Sequence, residues 1–308
     1  MSRRRPELPG AAGFLVVDKP RGWTSHDVVD AARRWLGTRR IGHLGTLDPL
    51  ATGVLPLAVR EATKLVPFLS AGVKAYTGEI ELGAETDTLD AEGRVLRRYA
   101  GELPSEPQLR AALAGFMGEI LQVPPMFSAV KIAGVPLHRM AREGREVPRA
   151  PKKVRIDELT LLGYATPRAR IEVRCSTGTY VRSLAADVGV ALGCGAFLAS
   201  LRRTQSGPFR IEDAAAVEDL EELARTGQLE ARLIPPVNVL GLPVVRLEAP
   251  EERRVRNGND VTLVGLALPP EGHVAAVGSG GELIAVLEIR PGRRLQPLRV
   301  LQSLAGPG

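Results

Sequence analysis

The amino-acid sequence predicts an α+β body, a mixed or antiparallel sheet with flanking helices, followed by a small all-β domain. Three observations carry this. Strand-like and helix-like segments in the first two-thirds follow one another without a regular βαβ rhythm, which argues against a doubly wound parallel sheet. After Pro235 and Pro236 the chain turns to short apolar runs separated by Gly and Pro, the spacing of a barrel or sandwich. At 308 residues the chain also exceeds the usual size of a single hydrophobic core. We therefore expect one domain over residues 1–240 and a second over 241–308.

Residues 13–18 read as a buried strand, broken by Lys19, Pro20, Arg21 and Gly22. Thr24 or Ser25 then caps a helix that runs to about Leu36 and stops at Gly37. Residues 53–59 form a short apolar strand, and residues 61–69 have helical spacing. Residues 76–82 alternate, with Ile80 and Leu82 on one face and Glu79 and Glu81 on the other, as in a half-buried strand. Ala91, Glu92 and Gly93 make the turn of a hairpin leading to Val95 and Leu96. Ser105 with Glu106 and Pro107 starts a helix to about Phe116. Prolines and glycines then crowd residues 124–151, enclosing a long, mostly irregular insertion of about 124–153, and insertions of this kind are usually functional loops. Strand character returns over residues 153–162 and 168–175, a helix over 179–192, and an acidic helix from Asp213 to about Gly227. Past the linker at 234–237, strands are expected at 244–247, 261–264, 273–277, 283–289 and 299–301.

The composition, 44% hydrophobic and 25% charged, is that of an ordinary soluble protein. A basic start without an apolar run behind it, and no later stretch long enough to span a bilayer, point to a cytoplasmic protein with no membrane partner. The cysteines, Cys175 and Cys194, fit neither a metal site nor a disulfide framework. The net charge of +6 is unevenly placed: Arg139 to Arg155 holds seven basic residues against two acidic ones. Such a run is either a solvated helix face or an arm that lies along phosphates.

One charge stands out. Asp48 lies between Leu47 and Pro49 in a run otherwise made of glycine, threonine and aliphatics. Pro49 holds Asp48 extended or in a turn, so its carboxylate is presented in a fixed direction. An Asp-Pro pair is by itself a common turn former; His43 lies five residues earlier, and no second Asp, Glu or Cys sits at ligand spacing to hold a metal. Asp87 and Asp90, further along, lack the additional ligands that a cation would need.

The run GHLGTLDPLATGVLPL at 42–57 resembles the signature of the TruB family of tRNA pseudouridine-55 synthases. Four more blocks are similar to that family in the same order: DKPRGWTSHDVV, KAYTGEIELGAETDTLDAEG, QVPPMFSAVKIAGVPLHRMAREG and STGTYVRSLAADVGVALGCGAFLASLRRTQSG. The resemblance implies a pseudouridine-synthase-type body with an RNA-clamping insertion and a PUA-like C-terminal domain. It implies conversion of uridine to pseudouridine in the T loop of tRNA, without cofactor or metal. By the same resemblance Asp48 is the essential carboxylate, attacking C1′ or assisting glycal formation. Tyr76 stacks on the target base, Arg182 pairs with Asp48 and keeps it ionised, and Tyr180 and Leu201 wall the uracil site. His43 intrudes where bases are displaced, while Asp90, Lys131, Arg142 and Lys152 face RNA. The expected partner is the T arm of tRNA, with the acceptor end reached by the C-terminal domain. Lacking the long extensions of relatives in guide-RNA particles, the chain is expected to act without guide RNA, as a monomer. Leu44, Phe127 and His138 depart from residues common in the family. Two other classes stay open at this point: an RNA-binding module with an incidental pocket, and a carboxylate hydrolase, which ordinarily needs two placed acids.

Overall fold

In the computed structural model, which describes residues 10–69, 72–128, 130–132, 134–262 and 268–302, the body is built on one large mixed sheet. Its strands lie in the order Ala215–Ala216, Gly13–Lys19, Thr52–Val59, Ala196–Ser206, Lys74–Leu82, Arg168–Cys175, Lys152–Ala165 and Gly118–Gln122. Pairing is antiparallel except at two places: Ala196–Ser206 against Thr52–Val59, and Gly13–Lys19 against Ala215–Ala216. Ser25–Trp35, Glu106–Ala114 and Val181–Ala191 are the flanking helices. Their apolar faces cover the sheet through Val28, Ala32, Leu109, Leu184 and Val188, all fully buried.

Local chemistry explains the boundaries. Thr24 caps the first helix, with its hydroxyl accepting from Asp27 N and the Asp27 carboxylate accepting from Thr24 N. Ser105 and Gln108 make the same reciprocal box. Residues 61–69 depart from a regular α-helix: a 3-10 turn, Arg60–Leu65, passes into a single α-turn, Val66–Leu69. Arg60 itself has φ +52° and is buried, its guanidinium donating to Ala11 O and Leu36 O.

The sequence pattern misses a long central strand, Ala196–Ser206. Its residues Ser200, Arg202, Arg203, Thr204 and Gln205 hide the apolar alternation. Nine register pairs to Lys74–Leu82 and a parallel contact at Gly53 hold it in place. Gly53 has φ +97°, and a Cβ there would lie 2.2 Å from Arg203 O. Gly53→Ala is therefore expected to lower stability by more than about 1 kcal/mol, because the new methyl meets backbone in a left-handed conformation. An unchanged thermal midpoint would count against this packing.

A second sheet, ordered Val244–Arg246, His273–Val277, Leu283–Arg290, Arg294–Val300 and Val261–Thr262, follows the linker. It carries a helix, Ala249–Arg256, that the strand spacing does not predict, and its last long strand starts earlier than expected. Residues 263 and 264 lie outside the described residues. Ala275, Leu283, Val286 and Leu301 pack on Phe14, Val16 and Leu65, so the two sheets share a core. Polar contacts reinforce it: Glu61 accepts from Gln302 N at 2.9 Å, and Lys64 Nζ donates to Val300 O at 2.9 Å. Among the described residues no helix is long and apolar enough to cross a membrane.

Candidate active site

Residues 44–51 form a loop at the edge of the first sheet, clamped from several sides. Ser25 Oγ donates to Leu47 O at 3.0 Å and accepts from Leu47 N at 2.8 Å. Gly22 N and Lys19 Nζ both donate to Pro49 O, and Lys19 Nζ also donates to Trp23 O at 2.6 Å and Pro20 O at 3.0 Å. Arg203 reaches from the central strand to Gly45 O and Val54 O, at 3.1 and 2.7 Å. Ala51 N donates to Asp48 O, so Asp48 does open a turn. Its side chain nonetheless points into a cavity of about 250 Å³.

The opposite wall comes from the helix Val181–Ala191 and the segment before it. Arg182 is 6% exposed in its side chain and is held at four points. Nε lies 2.9 Å from Asp48 Oδ2, Nη1 is 3.3 Å from Asp90 Oδ2 and donates to Thr88 O, and Nη2 donates to Phe127 O at 2.8 Å. A single guanidinium thus serves two carboxylates. Gln122 sets the entry to this helix by accepting from Tyr180 N at 2.7 Å and donating to Tyr180 O at 3.0 Å.

Electrostatics follow from this geometry. Burial pushes the Asp48 carboxyl above its ordinary value; Arg182 opposes the rise and Asp90 adds to it. The ion pair alone therefore does not hold Asp48 at its usual acidity, which differs from what pairing with Arg182 leads one to expect. Burial likewise raises the Tyr76 hydroxyl, so Tyr76 presents a neutral phenol beside Arg203 rather than a phenolate. Lys19 is lowered to about 8, chiefly by burial, with Asp48 acting against the change.

Of the residues singled out from sequence, Asp48, Tyr76, Tyr180, Arg182 and Leu201 line the one cavity. Asp90 lies behind Arg182 and is 3% exposed; its Oδ1 accepts from Thr88 Oγ1 and Glu92 N. Asp87 Oδ1 instead accepts from Arg94 N, closing the hairpin. His43 ends the short strand Ile41–His43 and is half-buried, outside the cavity wall, with no hydrogen-bond partner for Nδ1 among the described residues. Lys152 is exposed at the start of its strand. The side chains of Lys131, Arg142 and His138 lie outside the described residues. Leu44 is buried in the core that joins the two sheets. Sequence reasoning missed Lys74, Arg203 and Gln122; the polar residues in an otherwise apolar strand pattern were the available signal.

Against known proteins, residues 33–181 match the N-terminal domain of TruB family pseudouridylate synthases, and residues 182–240 match the C-terminal domain of tRNA pseudouridylate synthase B. The chain belongs to the TruB family. Curated TruB relatives agree over nearly the whole length: the tRNA pseudouridine synthase B of Geobacter sulfurreducens is 44% identical over 297 residues, covering 96% of this chain and 94% of the relative. That of Dechloromonas aromatica is 44% identical over 292 residues, covering 94% and 95%. Among solved structures, a chain of an H/ACA ribonucleoprotein bound to a substrate RNA containing 2′-deoxyuridine aligns with TM-score 0.71 and 25% identity, over 94% of this chain and 86% of that one. The pseudouridine synthase fold, an α+β body with a small additional sheet, is thereby shown. Among the described residues no three His, Cys, Asp or Glu side chains are grouped to hold a metal ion.

Proposed function

We propose that this enzyme converts uridine to pseudouridine in the T loop of tRNA, at position 55, with Asp48 as the essential carboxylate. The observation that carries the reading is the Asp48–Arg182 pair at 2.9 Å, facing Tyr76, Tyr180 and Leu201 across one small cavity. The cavity suits a single planar base, and a base must leave its stack to enter. Loops with splayed bases are the RNA elements best read in this way.

The reaction breaks the bond from N1 to C1′, turns the uracil and joins C5 to C1′. C5 loses a proton and N1 gains one, so no redox partner is required. Asp48 either attacks C1′ or assists loss of the C2′ proton to a glycal; a directed carboxylate serves both. Tyr76 and Leu201 sandwich the turning base, and Arg182, anchored by Asp90, Thr88 and Phe127, keeps the Asp48 oxygens aimed. Hydrolysis is the poorer reading, because the second acid of the Arg182 cluster, Asp90, is itself engaged by Arg182 behind the cavity.

The protein is proposed to act in the cytoplasm as a stand-alone monomer without guide RNA. A catalytic domain of residues 1–240 and a PUA-like domain of 241–308 that meets the acceptor end fit the second sheet, which starts at Val244. His43 is assigned to the displaced-base gap. Lys131, Arg142 and Lys152 of the 124–153 insertion, a clamp on the T arm, are assigned to phosphates; Asp90, expected from sequence to face RNA, is buried with its oxygens engaged by Arg182, Thr88 and Glu92, and is assigned instead to holding Arg182.

This last assignment makes an expectation. Lys152→Ala and Arg142→Ala are each expected to weaken binding of a T-arm hairpin and to flatten its dependence on salt by about one counterion. Equal affinity across a salt titration would place both side chains on a solvated face.

A further inference from the structure

Lys74 begins the central strand Lys74–Leu82 and is 6% exposed. It lies two residues from Tyr76, hence on the same face of the strand, and like Tyr76 it lines the Asp48 cavity. Its ammonium donates to Ser206 Oγ at 2.8 Å. An ammonium carries three donors, and among the described residues no other hydrogen bond or ion pair claims the remaining two.

Among the described residues no carboxylate is within ion-pair distance of the ammonium, although Asp48 lines the same cavity. From the Ala196–Ser206 strand come Ser206 and Arg203, the latter a second cation; from Arg168–Cys175 comes Cys175, whose thiol burial pushes up to about 11. A buried cation without a counter-ion is costly, and such groups persist where an anion arrives during function. Burial lowers Lys74 to about 8, which leaves it largely charged at neutral pH.

The isomerisation supplies such an anion. When N1 parts from C1′, the bonding electron pair stays with the uracil, and its charge spreads over N1 and the two carbonyl oxygens. The charge is consumed when C5 bonds to C1′, after which C5 releases its proton and N1 takes one up. We propose that the Lys74 ammonium is the counter-charge for this detached uracil anion, an inference that rests on the isomerase reading above. A fixed, buried cation stabilises developing charge without reorganising at the moment of cleavage. Tyr76, the neutral neighbour, holds the ring while Lys74 answers its charge.

The test compares wild type, Lys74→Met and Lys74→Arg in single turnover on T-arm hairpins carrying uridine or 5-fluorouridine at the target position. The readout is loss of the N1-linked nucleoside after digestion. Fluorine stabilises the departing anion, so the fluorinated base needs less help. Lys74→Met is expected to slow uridine turnover by about 100-fold at unchanged hairpin affinity, with a deficit at least about tenfold smaller on fluorouridine. Lys74→Arg, which keeps the charge, is expected to stay within about tenfold of wild type. Wild-type rates in Lys74→Met would overturn the proposal. So would one equal deficit in both variants on both substrates, which marks a packing role. Should the methionine variant not fold, the arginine variant decides: retained turnover supports the charge and its loss overturns it. An inactive wild type would instead overturn the isomerase reading itself.

Discussion

Asp48→Asn leaves a folded protein that binds the T-arm hairpin and turns over at least about 10⁴-fold more slowly, at or beyond the upper end of what a single acid–base group contributes. The amide keeps the shape and the turn, since the turn is made by Asp48 O and Ala51 N rather than by the side chain. What it removes is the negative charge opposite Arg182 and any ability to attack C1′ or take a proton. The same carboxylate shapes the pH profile. Burial raises its pKa, so the active, ionised form is lost on acidification at a higher pH than for a free aspartate. Single-turnover rates should therefore begin to fall above the ordinary carboxylate range as pH is lowered. A rate that stays flat down to that range, or an Asn variant with near-normal turnover, would remove Asp48 from the chemistry.

Arg182→Met is the second large effect, and it acts on both activity and stability. The guanidinium holds Asp48 and Asp90 together and satisfies the carbonyls of Thr88 and Phe127. Without it two neighbouring carboxylates, one of them the buried Asp90, lose their shared counter-charge. Breaking a buried pair by removing one partner typically costs about 3–5 kcal/mol, and losing the aim of a reacting group costs about 10²-fold in rate or more. Lys at this position restores one charge but not four directed contacts, so it is expected to recover stability more than turnover. Denaturant titration with parallel kinetics separates the two. A methionine variant with wild-type stability and rate would show that the ion-pair cluster is incidental.

Much of this site was legible in sequence, for physical reasons particular to each residue. Asp48 is a lone charge pinned by Pro49 in an apolar run, and a pinned charge has a direction. Tyr76 sits in a strand with clean alternation, so its face could be read. The helix bearing Arg182 has ordinary periodicity and ends where Gly193 takes φ +73°. What stayed hidden depends on contacts far apart in the chain. Lys74 reads as a strand-end surface lysine until Ser206, 132 residues away, places it inside. Arg203 follows another arginine, Arg202, which pairs with Asp18 at the surface, and only the parallel crossing at Gly53 turns Arg203 inward. Asp90 passes for a turn residue, which it also is, because one of its oxygens serves the hairpin and the other serves Arg182. His43 shows the converse: the motif names it, yet it stands outside the cavity wall.

The central claim is that a carboxylate at 48 drives isomerisation rather than shaping a turn. The most direct test is tritium release from a T-arm hairpin whose target uridine is labelled at C5, comparing wild type with Asp48→Asn. C5 must give up its hydrogen when it becomes the glycosidic carbon, so wild type is expected to release tritium while no free uracil appears, and Asp48→Asn is expected to bind the hairpin and release none. Equal release by both would contradict the account, and so would a wild type that binds the hairpin and leaves its tritium in place.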